Sequence, residues 1–115
     1  MIELAKKAAQ LIASMQNSDR KEEYLRAIKG LGSLVMQNGL IGALLITMKK
    51  GPDQIVEHLD QLIELRTGVK DYSKKVKEGN VDMQNYLYVQ TASLEAIKWL
   101  KRYAEIILGG DSSET

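Results

Sequence analysis

Apolar residues recur with a helical period along almost the whole chain. Leu4, Ala8, Leu11, Ile12 and Met15 fall on one face of a helix predicted from Ile2 to about Asn17. Asn17-Ser18-Asp19 interrupts the pattern. Asp19 and Glu22 have the spacing of a capping box, so a second helix is predicted to open there. Its apolar stripe is Tyr24, Leu25, Ile28, Leu31, Leu34 and Val35. Gly30 and Gly32 lie inside it, where each glycine costs about 1 kcal/mol relative to alanine, a loss that a close helix crossing would offset.

The stretch "VMQNGLIGALLITMKKGP" sets the next problem, because Asn38-Gly39 is also a hairpin signal. Residues on either side do not alternate, which a hairpin would require. The pattern instead predicts a helix ending at Asn38, a left-handed Gly39, and a new helix beginning at Leu40. The apolar run from Leu40 to Met48 is about half the length needed to cross a bilayer. Being apolar nearly all round, it is expected in the middle of the fold or at a partner surface. Lys49, Lys50 and Gly51 close it.

Pro52-Asp53 opens a fourth helix with Ile55, Val56, Leu59, Leu62 and Ile63 inward and Asp53, Glu57, Asp60 and Glu64 outward. Arg66-Thr67-Gly68 stops it. A short basic helix follows from Val69 to Lys77, and a long one from an Asp82 N-cap to Leu108. The long helix carries one stripe of Leu87, Leu94, Ile97, Leu100, Ala104 and Ile107, and a second of Ala92, Ala96, Trp99 and Tyr103, which predicts a core position for Trp99. The expected fold is all-α: a single-domain antiparallel bundle of about five to six helices over residues 1–108, with 109–115 a disordered polar tail.

Composition narrows the chemistry. The chain has 115 residues and no cysteine, which removes disulfides, thiolate metal sites and cysteine nucleophiles. No secretory leader is visible, and a cytoplasmic location is expected. His58 is the only histidine, and it is expected to be an ordinary surface residue beside the acidic stripe. The four acids form a line and not a cage, so neither a metal nor any other cofactor is expected. There is no nucleophile elbow, no phosphate-binding loop and no dinucleotide fingerprint, so no catalytic residue is assigned and an enzyme is not expected.

Sixteen basic against fifteen acidic residues leave a net charge of +1, which argues against a surface that is basic throughout. The cations are clustered instead. Lys70, Lys74 and Lys75 crowd the short helix together with Arg66 and Lys77. Lys98, Lys101 and Arg102 stand at i, i+3 and i+4 on the last one, where Glu95 and Glu105 partly neutralise them. Arg20-Lys21 and Lys49-Lys50 add smaller clusters. Lysine-rich faces with few exposed rings suit a phosphate backbone and suit base reading poorly.

Two motifs carry a resemblance: "MQNGL" at Met36–Leu40, and "EAIKWLKRYAE" at Glu95–Glu105. Together, and in this order, they resemble the small helical subunit of the type III-B CRISPR effector, the Cmr RNA-silencing complex. Tyr103 stands where the family carries phenylalanine. The resemblance spans roughly residues 5 to 106, with the middle, 50 to 80, matching only in character. It implies a non-catalytic structural subunit that stacks with copies of itself along the backbone subunits. Its partners would be those subunits, the large subunit, CRISPR RNA and target RNA, with no membrane and no small-molecule substrate. It also implies that Asn38, Gly39 and Leu40 form a tight structural junction in which Asn38 caps the incoming helix, and an RNA-holding role for which the basic clusters Lys98, Lys101, Arg102, Lys70, Lys74 and Lys75 are the candidate contacts. The alternative left open by the residues is a helical protein–protein adaptor without a nucleic-acid role.

Overall fold

The computed structural model describes residues 2–109; Met1 and 110–115, most of the expected tail, lie outside the described residues. The described residues form five helices and no strand: α1 (Ile2–Ala13), α2 (Lys21–Lys50), α3 (Asp53–Thr67), α4 (Tyr72–Lys77) and α5 (Tyr86–Ile107). Helix α5 is the hub, packing against α1, α2 and α3. Its buried residues, Val89, Ala92, Ser93, Ala96, Ile97, Leu100 and Ala104, are mostly small, which lets three helices approach it. Leu87 is not among them. It is 72% exposed, and Val89 takes the inward position at that end.

Helix α1 buries Leu4, Ala8, Leu11 and Ile12 as its period predicts, but stops at Ala13. The Ser14 hydroxyl donates to the Leu11 carbonyl, and Met15 and Gln16 bond back only three residues, tightening the chain out of the helix. Met15 still reaches the core from this turn. The capping box does not form. The N-cap of α2 is Arg20, with φ −100° and ψ 11°, and no side chain caps it. Asp19 is therefore one residue too early. Ser18 Oγ accepts the Arg20 N–H instead, and the Arg20 guanidinium pairs with Glu23 at 2.9 Å.

Helix α2 is continuous in path but broken at Gly39, where φ is 73° and ψ 166°. The break is where the sequence places it. The conformation is the extended, glycine-only region and not the left-handed helical one. The second arm, 40–50, is amphipathic in place: Leu40, Ala43, Leu44 and Thr47 are buried, while Leu45 is exposed. It flanks the fold and does not run through its middle. Although α2 as a whole has the length and apolarity of a membrane span, Gly39 divides it and its buried residues join the common core.

Helix α3 has the predicted bounds. Pro52 is its N-cap, and Gly68 ends it in the left-handed conformation with its N–H on the Glu64 carbonyl. Helix α4 is shorter than predicted, because 69–71 form a loop and Asp71 holds a positive φ of 52°. Helix α5 begins four residues after Asp82. The Asp82 carboxylate accepts the Gln84 N–H, forming a turn before the helix instead of capping it.

Candidate nucleic-acid interface

Two residues 46 positions apart build the junction at Gly39. The backbone N–H of Leu40 donates both to the Tyr86 hydroxyl (3.1 Å) and to Gln90 Oε1 (2.9 Å), while the Tyr86 hydroxyl donates to that same amide oxygen (2.9 Å). Both acceptors come from the first turns of α5. They satisfy a donor that the break in α2 leaves without a helical partner. Asn38, expected to cap this incoming arm, instead donates from Nδ2 to the Leu34 carbonyl and so closes the outgoing one. A side chain at position 39 would place its Cβ 2.9 Å from the Tyr86 hydroxyl. At Gly39 and Leu40 the break in α2 is thus closed by Tyr86 and Gln90 of α5.

His58 is also not where the sequence puts it. It is 5% exposed, with Nδ1 2.8 Å from the Tyr24 hydroxyl of α2. Burial, assisted by the charge of Lys7, lowers its pKa to about 4, so the ring is neutral at neutral pH. The clue was in the spacing: His58 follows Ile55 by three and precedes Leu62 by four, on the apolar face of α3. Nor is the acidic stripe wholly solvated. Asp60 Oδ1 accepts the Ser73 N–H (3.0 Å) and Oδ2 the Ser73 hydroxyl (2.5 Å), tying α4 to α3. Among the described residues no group of three or more His, Asp or Glu is arranged to hold a metal.

On α5, Lys98, Lys101 and Arg102 are exposed, as predicted. Glu95, expected to neutralise this face, is turned away to Arg66 of α3, with Nε and Oε1 3.3 Å apart. Among the described residues none of the three α5 cations has a carboxylate partner within 4.0 Å. Trp99 lies between them. Lys98 Nζ and Arg102 Cζ each stand 5.7 Å from its ring centre, within cation–π range. Tyr103 stacks on the same indole at 6.3 Å and 30°. Trp99 is only partly buried and packs against the core from its edge, which differs from the predicted core position. Leu100 and Ala104 take that place instead.

Lys98 and Lys101 line a groove of about 460 Å³ between α2 and α5, whose other wall carries Lys29, Ser33, Met36 and Gln37. Sequence reasoning missed Lys29. The glycine at position 32 opens the space: a Cβ there would meet only Ile97, at 3.8 Å. Gly30 has nothing within 4 Å and lines a separate groove of about 260 Å³ with Arg26 and Lys50. The two glycines therefore carve grooves and do not permit the close crossing expected of them.

The second basic cluster is divided. Lys70 and Lys75 line a pocket of about 320 Å³ with Tyr72, Asn80, Asp82 and Asn85. Lys74 lies outside that lining and is exposed on α4.

The family model described as CRISPR-associated protein (Cas_Cmr5) matches residues 2–107, nearly all of the described fold. The chain belongs to the Cmr5 family. A relative from Thermotoga maritima, "CRISPR system Cmr subunit Cmr5", is 43% identical over 115 residues, covering 99% of this chain and 88% of the relative. No solved structure matches this Cmr5-family chain. The match takes in both the Gly39 junction and the Trp99 face.

Proposed function

We propose that this chain is a non-catalytic subunit of a Cmr CRISPR effector and that its α2–α5 face holds RNA by the phosphate backbone. The relative's name supplies the complex. The observation that carries the RNA reading is the groove in which Lys29 of α2 joins Lys98 and Lys101 of α5, beside Arg102 and, among the described residues, without an acid in contact. Phosphates are attracted by such unpaired cations, and the counterions released make the attraction salt-dependent. Trp99, flanked by two cations, adds a ring against which sugar or base can rest. The remaining partners in this reading are the backbone subunit, the large subunit and further copies of the chain. The exposed Met83, Leu87 and Ile106 suit such protein contacts, and they equally suit a pure adaptor.

Reversing Lys98, Lys101 and Arg102 together to glutamate tests the two readings. Under the proposal, the variant subunit co-purifies with the larger subunits from the native host, but the complex loses target RNA. Assembly with undiminished RNA at physiological salt supports the adaptor reading instead.

A further inference from the structure

The pocket at the start of α5 has features that a merely solvated lysine cluster does not explain. The Tyr72 side chain is 1% exposed, and its hydroxyl has no hydrogen-bond partner. Burial raises that hydroxyl's pKa to about 12, so it keeps its proton and is a donor at neutral pH. Asn85 is the N-cap of α5, yet its side chain makes no capping bond, and Oδ1 is buried without a partner. Buried polar groups are nearly always satisfied, so two orphans among the residues lining one pocket point to a ligand that supplies a donor and an acceptor. Lys70 and Lys75 line the same pocket, and the positive end of the 22-residue α5 stands at its edge. Asp82 lines it too; one of its oxygens already accepts the Gln84 N–H.

We propose that this pocket holds one ribonucleotide unit of an RNA strand, a reading that rests on the RNA-holding role above. The phosphate sits against Lys70 and Lys75 and takes the Tyr72 O–H. The ribose hydroxyls donate to Asn85 Oδ1 and to the free oxygen of Asp82. At about 320 Å³ the pocket lies near the small end of ligand sites, roughly 300–1,000 Å³, which suits one nucleotide and little more. In this reading the unpartnered Asn85 oxygen favours a strand that carries a 2′-hydroxyl over one that does not.

Amide chemical shifts of the full chain, titrated with uridine monophosphate, deoxyuridine monophosphate, inorganic phosphate and a short single-stranded RNA, test the proposal. The ribonucleotide is expected to move amides of residues 68–86, with at least threefold weaker binding by the deoxy form. Lys70→Gln with Lys75→Gln should abolish the response. Tyr72→Phe should weaken it while melting at or above the parent temperature, because the lost hydroxyl has no internal partner. Equal responses to ribonucleotide, deoxynucleotide and inorganic phosphate would mean plain charge attraction and overturn the proposal. An RNA that moves the α2–α5 groove but leaves 68–86 untouched overturns the pocket and leaves the RNA-holding reading standing. A mononucleotide that moves 68–86, with an RNA that moves neither region, overturns both the RNA-holding reading and the pocket's place on an RNA strand.

Discussion

The Tyr86 hydroxyl lies 3.1 Å from the backbone nitrogen of Leu40, so the first turn of α5 closes the break in α2. This contact explains why the chain can change direction inside its longest helical segment without leaving a donor unpaired. It also makes position 39 intolerant of a side chain in two separate ways, by its φ of 73° and by the 2.9 Å approach of the hydroxyl.

Gly39→Ala is expected to destabilise by about 2–3 kcal/mol, within the range for a non-glycine residue in such backbone. Tyr86→Phe alone should cost about 1 kcal/mol, since Gln90 still accepts the Leu40 N–H. In the double variant the steric part of the Gly39→Ala loss is relieved, so its loss should be smaller than the sum of the two single losses. Urea unfolding of all four proteins measures this. Strict additivity would show that the hydroxyl does not press on position 39.

His58 makes stability depend on pH. Its folded pKa is lowered to about 4 against 6.5 in an unfolded chain, so in acid the unfolded state takes up a proton before the folded one does. Stability is complete above pH 6.5 and falls as pH drops from there to about 4, by at most roughly 3 kcal/mol at 1.36 kcal/mol per unit. Urea midpoints at pH 7.5 and 5 should differ in the parent and converge in His58→Gln. The half-buried Asp60 carboxyl, whose pKa burial raises, acts in the opposite sense, since the folded state takes up its proton first, so the variant is the proper control. A parent midpoint that does not move between these pH values would place the histidine in solvent.

Much of this fold can be read from residue spacing, and the failures share a cause. Helix α3 was legible at both ends because Pro52 and Gly68 are strong local signals. The Gly39 break was legible because no other residue tolerates that backbone. The ends set by side-chain competition were not: Ser14 shortens α1, and Asp82 forms a turn instead of a cap. His58 was misplaced because its polarity was given more weight than its position on the apolar face of α3. For the candidate interface, Lys98, Lys101 and Arg102 share a helix and so could be grouped by number alone. Lys29 joins them only because α2 packs against α5, and no spacing within one helix encodes that. Its own neighbours gave half the clue: Lys29, Gly32, Ser33 and Met36 share a face of α2.

Trp99 separates packing from binding. Being only partly buried, it should cost about 2–3 kcal/mol on truncation to alanine, below the 3–5 kcal/mol of a sealed aromatic. Trp99→Phe keeps a ring and should recover most of that loss. If RNA rests on the indole, emission from this sole tryptophan should be quenched on titration with single-stranded RNA. Unchanged emission at saturating RNA would confine Trp99 to packing and to holding Lys98 and Arg102 in place.

Lys29 gives the sharpest test of the groove, because it belongs to neither sequence motif and is joined to the α5 cations only by the fold. Lys29→Ala should leave the melting temperature within about a degree of the parent, since surface changes rarely exceed about 0.5 kcal/mol. Its effect should appear in the salt dependence of RNA binding. Each phosphate contact on a single strand contributes about 0.7 to the slope of log affinity against log salt. If Lys29, Lys98, Lys101 and Arg102 all neutralise phosphates, the parent slope includes about −2.8 from this face, and Lys29→Ala reduces its magnitude by about 0.7. Lys101→Ala should do the same, and the double variant should lose both. A Lys29→Ala slope equal to the parent's, beside a reduced one for Lys101→Ala, would move the RNA off the groove and onto the outer edge of α5. Equal slopes for all the variants would take RNA off this face altogether.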